Sequence, residues 1–184
     1  MLTIIRSALL APILLALLAS GAARADGIND EIVKFCKEKL GKQVGVGECC
    51  DLADEALKAA GAKPRTGFPE APNQGDYVWG DSVYVISKMK DASAEERKGA
   101  GKPVQPGDVL QVRNARFQGK AGNGGFYTMK SEHHTAVVSE VREKGRVLVV
   151  FEQNVNGKRA VTRMSYRLAD LKDGWIRVYR PTAQ

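Results

Sequence analysis

The sequence predicts an α+β domain in which helices come first and an antiparallel sheet follows. Two stretches in the first third repeat apolar residues at helical spacing, and from residue 109 onward short apolar runs alternate with turn residues. A leader is set apart from that domain: Arg6, an apolar run from Ala8 to Ala19, and the small-x-small triplet Ala23-Arg24-Ala25 read as an export signal. Residues 1–25 are assigned to the signal and 26–184 to one domain, about 159 residues, enough for a single core. The expected location is secreted or periplasmic, with no stable membrane insertion once the signal is cleaved.

Taken in order, Ile28 to Leu40 fits a helix. Asn29 or Asp30 can cap it, Ile32, Val33, Phe35, Cys36 and Leu40 supply its apolar positions, and Gly41 ends it. Cys49 to Ala60 fits a second helix, with Leu52, Ala53, Ala56, Leu57 and Ala60 on one face and Gly61 as a left-handed stop. Gly45 and Gly47 allow a tight turn into it. Pro64 to Gly80 reads as a loop. Its Tyr77 and Trp79 suit a cleft wall, and suit packing equally well. Residues 82–89 read as a short strand or turn, and 91–102 as a solvated helical turn and loop.

Strands are expected at 109–113, 134–141, 146–152, 159–166 and 176–179. Gly119, Gly122, Gly124 and Gly125 make 114–132 a long loop or hairpin. The spacing is that of a meander. The expected architecture is N-terminal helices packed on an antiparallel five- to six-stranded sheet or partial barrel.

The formal net charge of +7 falls to +5 when Arg6 and Arg24 leave with the signal. The basic residues are spread along the chain without interleaved aromatics, which argues against nucleic acid as a partner. An anionic wall or membrane surface is compatible with the excess. The two histidines, His133 and His134, are adjacent and no CxxC is present, so neither a metal nor any other cofactor is expected, and the chain is taken as a monomer. Three cysteines, Cys36, Cys49 and Cys50, leave an odd thiol. Cys36 on the first helix can reach Cys50, which frees Cys49; three free thiols is the alternative.

Cys49 sits where orphan N–H groups and the positive end of a helix dipole favour a thiolate. If strands 134–141 and 146–152 form a hairpin about Lys144-Gly145, the start of one lies beside the end of the other. His134 is then close to Glu152 or Asn154. A carboxylate or amide holding one imidazole nitrogen while the other faces a thiol is the arrangement of a cysteine nucleophile with its base. Candidate catalytic residues are therefore Cys49, His134, Glu152 and Asn154, and candidate substrate-binding residues are Glu48, Tyr77 and Trp79. His133 points the opposite way and is assigned to the surface.

The segments Gly47-Glu48-Cys49, Pro106-Gly107-Asp108, His134-Thr135-Ala136 and Glu152-Gln153-Asn154, in this order, resemble the NlpC/P60 and CHAP group of papain-like cysteine peptidases and amidases. Within it, Val46-Gly47-Glu48-Cys49, Tyr77-Val78-Trp79-Gly80 and Gly107 to Gln111 most resemble the cysteine-proteinase-fold domain at the end of fungal actin-patch proteins, which has secreted bacterial relatives. The resemblance implies Cys49 as nucleophile, His134 as base, Glu152 or Asn154 as its orienter, and peptide or peptidoglycan as substrate. One departure stands out. CHAP domains commonly carry Gln before the cysteine; here it is Glu48, whose charge, with Asp51 and Asp54, opposes a thiolate and an oxyanion. The alternative to a secreted amide hydrolase is thus a catalytically inactive binding or scaffold module.

Overall fold

The computed structural model describes residues 19–71, 73–122 and 124–184. Residues 1–18, the body of the expected export signal, lie outside the described residues. Helix α1 (Ala19–Glu38) and helix α2 (Cys49–Ala59) are followed by a loop with a 3-10 turn at Arg65–Gly67. Strand β1 (Asp81–Ser87), the short helix α3 (Ala94–Lys98) and the two-residue β2 (Ala100–Gly101) lead to β3 (Val109–Lys120) and β4 (Phe126–Arg142). Then come β5 (Val147–Glu152), β6 (Thr162–Arg167) and β7 (Leu171–Arg180). The α+β class and the helix-on-sheet arrangement are as expected; among the described residues the strands number seven, more than the five or six inferred.

The sheet order is β2-β1-β7-β3-β4-β5-β6, antiparallel throughout. Only β3 to β6 form the expected meander. The last strand crosses back and inserts between β1 and β3, a long-range pairing that no local turn signals. Residues 114–132 resolve as a hairpin, because β3 and β4 stay paired from Val109↔Val137 out to Lys120↔Phe126. Gly119 lies inside the strand, where a Cβ would meet the Asp170 carboxylate at 2.2 Å.

Neighbouring residues of the central strands face opposite sides. Val109, Val137, Phe151 and Tyr179 pack under α1 and α2 with Ile32, Leu52, Leu57 and Trp79. Leu110, Ala136, Val150 and Val178 belong to a second core with Val83, Phe117, Tyr166 and Leu168. Both faces are buried, which is why the strands read as near-continuous apolar runs. The second core is closed by curvature of the sheet. Phe117 on β3 and Tyr166 on β6 are three strand steps apart, roughly 14 Å in a flat sheet, yet their rings lie 5.2 Å apart. Register shifts in β1, β3 and β4 accompany the bend. The result is an open half-barrel.

Helix α1 begins before the expected Ile28, so Asn29 is inside it and does not cap it. Asn29 is buried, and its Nδ2 donates to the Pro106 carbonyl (2.8 Å) and Asp108 Oδ1 (3.2 Å). Asp108 also receives a two-pronged Arg180 guanidinium, Nε and Nη2 each at 3.0 Å, and the Gln105 N–H at 2.9 Å. One buried carboxylate thus ties α1, the entry to β3 and the end of β7. Asp108→Ala is expected to cost about 3–5 kcal/mol in urea unfolding, as removal of one member of a buried ion pair does.

Candidate active site

The site forms where the sheet opens. Strands β4 and β5 pair only as far as Val137↔Phe151, while β4 continues alongside β3 through His134 and β5 alongside β6 to Glu152. The segment 44–49 enters at this splayed end. Gln153, fully buried, holds it there: its Oε1 accepts from the Val44 N–H (3.1 Å), and its Nε2 donates to the carbonyls of Val44 (3.0 Å) and Glu48 (2.6 Å). Gly45 and Gly47, at φ +57° and +93°, make the turn, and a Cβ on Gly45 would strike the Asp51 carboxylate at 2.7 Å. Asp51 Oδ2 accepts from the N–H groups of Gly47 and Glu48, both at 3.0 Å, and so fixes the start of α2. Cys49 is the first residue of that helix.

His134 and Glu152 come together as the hairpin argument required. The His134 Nε2 lies 3.1 Å from Glu152 Oε2, with Glu152 1% and His134 7% exposed. His134 shares its face with Ala136 and Glu152 shares its face with Val150, so both rise from the concave side. The thiol arrives from the helix on the other side and interacts with the His134 ring. With Nε2 engaged by Glu152, Nδ1 is the nitrogen left for sulfur.

The electrostatics favour an ion pair. Burial opposes the thiolate, but the hydrogen bond from His134, the imidazolium charge and the Thr135 backbone N–H outweigh it, and the Cys49 thiol is held below its ordinary value. Glu48 pushes the other way and is the smallest of these influences. Burial likewise opposes the imidazolium, yet the bonds to Cys49 and Glu152 push His134 up to about 9. The acidic neighbours are occupied elsewhere. Asp51 caps the helix, Asp54 accepts from Arg65 Nε at 2.9 Å, and Glu48 Oε2 accepts from Asn154 Nδ2 at 2.8 Å with Arg159 3.8 Å from its other oxygen.

Other expectations fare differently. Asn154 is turned to Glu48, so of the two candidate orienters only Glu152 meets His134. Trp79, expected at the substrate, is fully buried; its indole N–H donates to Gln111 Oε1 at 3.1 Å, which removes the polar group that would have drawn it to the surface. Tyr77 stays half-buried, edge-on to Trp79 at 5.6 Å and stacked under the Arg65 guanidinium at 4.1 Å. It lines a cavity of about 540 Å³ with Arg65, Phe68 and Asp76; Arg65 is also felt by the Cys50 thiol, which places this cavity's wall beside α2. All three cysteines are free, which corrects the proposed Cys36–Cys50 bridge: Cys36 is sealed in the helix-side core. Burial pushes Cys36 up to about 12 and Cys50 up to about 11.

Three contributors escaped the sequence. Tyr166 donates to Glu152 Oε2 at 3.0 Å from inside the concave core. Thr135 supplies a ladder N–H that the splayed strands leave for the sulfur, and its hydroxyl donates to Gln111 Oε1 at 3.0 Å. Gln153 lies within a quoted motif, but nothing marked it as the clamp. The one available signal was its placement between two residues already assigned to the site.

Residues 23–184 match the family described as the AIM3/BBC1 cysteine proteinase-fold domain. The chain belongs to that family. It is 29% identical over 166 residues to the Altered inheritance of mitochondria protein 3 of Debaryomyces hansenii, covering 86% of this chain and 16% of that protein. The chain thus spans about a sixth of the length of that curated relative. Among solved structures, "The crystal structure of Ly7917" superposes with a TM-score of 0.46 at 20% identity, covering 83% of this chain and 62% of that one. The structure of Ly7917 "with the hydrolyzing product of MDP" gives 0.47 at the same identity and coverage.

Three outcomes are expected from this geometry. Iodoacetamide at neutral pH alkylates Cys49 and spares Cys36 and Cys50, by peptide mass mapping, and the rate rises with pH through a midpoint below that of an ordinary thiol. Glu152→Gln moves the midpoint upward, because a weaker imidazolium stabilises the thiolate less. Gln153→Leu strands the Val44 N–H and carbonyl; it is expected to cost about 1–3 kcal/mol for each buried group left unpaired and to slow Cys49 alkylation although all members of the Cys-His-Glu chain remain.

Proposed function

We propose that the chain is a cysteine hydrolase of amide bonds that acts on cell-wall peptides after export. One observation carries the proposal: Cys49 beside His134, which Glu152 holds at 3.1 Å and which Tyr166 supports through Glu152 at 3.0 Å, with the thiol depressed and the imidazole raised. The lowered thiol and the raised imidazole shift the pair toward thiolate and imidazolium, the state that amide attack needs.

The steps follow from the placement. The Cys49 thiolate adds to the carbonyl carbon of the scissile amide. Negative charge moves to the carbonyl oxygen, for which the N–H groups at the start of α2 are the proposed donors. The protonated His134 gives its proton to the leaving nitrogen, the C–N bond breaks, and an acyl thioester remains on Cys49. Neutral His134 then takes a proton from water, hydroxide adds to the thioester, and the carboxylic acid departs as thiolate and imidazolium are restored. Glu152 holds the ring orientation and its charge through both steps; Tyr166 holds Glu152. Both are positioning residues. Tyr77 and Arg65, at the cavity beside the helix, are the proposed contacts to substrate.

A second reading rests on Glu48. The carboxylate directly before the nucleophile occupies the position from which related domains donate to an oxyanion, and a binding module without turnover would tolerate it. The two are separated by incubating the protein with peptidoglycan and assaying released fragments by mass spectrometry. Release of fragments with new amino termini is expected, abolished in Cys49→Ala and reduced by at least about a hundredfold in His134→Ala, the usual scale of a general base. No release together with an unreactive Cys49 at neutral pH would establish the non-catalytic module. Export, inferred from Arg6 and the apolar run that follows it, is checked by whether the cell-envelope or medium fraction holds the protein shortened at Ala25.

A further inference from the structure

A second concavity lies at the C-terminal end of β4, away from the thiol. Val141, on its wall, is seven residues along the strand from His134, roughly 23 Å. The groove has a volume of about 760 Å³ and runs between β1 and β2 on one side and the β4–β5 turn on the other. Its floor is apolar, made by Tyr84, Ile86, Val104, Val141 and Leu168. Its rim carries six cations, Lys88, Arg97, Lys98, Lys102, Lys144 and Arg146, and among the described residues no acidic side chain lines it.

These charges are unspent. Lys88 donates to the Arg97 carbonyl, Arg97 to the carbonyls of Lys90 and Ala92, and Arg146 to the Glu143 carbonyl. Glu143, whose carboxylate feels Arg146, is claimed by a two-pronged Arg167 at 2.7 Å. Among the described residues none of the six forms an ion pair with a carboxylate, whereas Arg65, Arg113, Arg142, Arg163, Arg167 and Arg180 all do.

We propose that this groove docks an acidic peptide segment bearing apolar side chains, independently of the thiol site. An apolar floor under a cationic rim matches a chain whose carboxylates reach the rim while its aliphatic side chains fill the floor. A flat bilayer fits a concave surface poorly, and the large exposed apolar residues, Leu40, Val46 and Phe126, lie elsewhere. A single-stranded nucleic acid needs aromatic platforms, and Tyr84 is the one ring in the lining. Each exposed ion pair contributes little, about 0–1 kcal/mol; it is the convergence of several over buried apolar contact that selects this partner and makes its binding salt-dependent.

The test is fluorescence anisotropy of a labelled synthetic peptide alternating glutamate and leucine, titrated with the whole protein. Saturable binding that weakens as salt rises is expected, with at least about a tenfold loss of affinity in Lys98→Glu/Lys102→Glu/Lys144→Glu. Cys49→Ala binds as wild type does, and the triple variant keeps the Cys49 alkylation rate, so this site and the hydrolase reading fail separately. Lysine acetylation of the wild-type protein, mapped by mass spectrometry, shows Lys98, Lys102 and Lys144 protected by the peptide, whether or not the variant folds. Binding unchanged by charge reversal, or no protection of these lysines, overturns the proposal. So does binding to phosphatidylglycerol vesicles without binding to the peptide.

Discussion

The end of β5 is the constraint on which the site depends. Two consecutive residues there do different jobs on opposite faces of the sheet. Glu152 reaches into the concave side to hold His134, and Gln153 reaches the other way to hold the backbone that delivers Cys49. Neither Cys49 nor His134 needs to find the other; each is fixed to the same strand end. The fixation is dry, with Gln153 at 0% and Glu152 at 1% exposure, so its hydrogen bonds are not exchanged for water.

The same dryness sets the chemistry. Burial by itself raises a thiol and lowers an imidazole, as Cys36 shows by rising to about 12 with burial as its one cause. At Cys49 and His134 burial acts in those same directions and is still outweighed, because each charge is the other's partner and Glu152 adds a second. Glu48 interferes less than its position suggests, since its carboxylate is turned to Asn154 and Arg159.

Much of this was legible in the chain before any coordinates. Helix α2 was readable because its apolar spacing and bounding glycines are local. The approach of His134 to Glu152 was readable because a short turn at Lys144-Gly145 forces it, whatever the rest of the fold does. What escaped was non-local or hidden. The insertion of β7 between β1 and β3 joins residues far apart in sequence. Trp79 has the same composition signal at a cleft wall as in a core, and only Gln111 across the sheet decides between them. Tyr166 reaches Glu152 because the sheet curls, and curvature has no one-residue signature.

The alternation at the end of β5 has a further consequence. A sheet has a side-chain period of two, so a slip of one residue in the β5 register would exchange the faces of Glu152 and Gln153. The carboxylate would turn toward the helix loop and the amide toward the imidazole, and clamp and base would fail in one event. Pairing of β5 with β6, in register from Val147↔Arg167 to Glu152↔Thr162, guards against that slip. A strand that does not carry the thiol thus acts as the proofreader of the site's assembly.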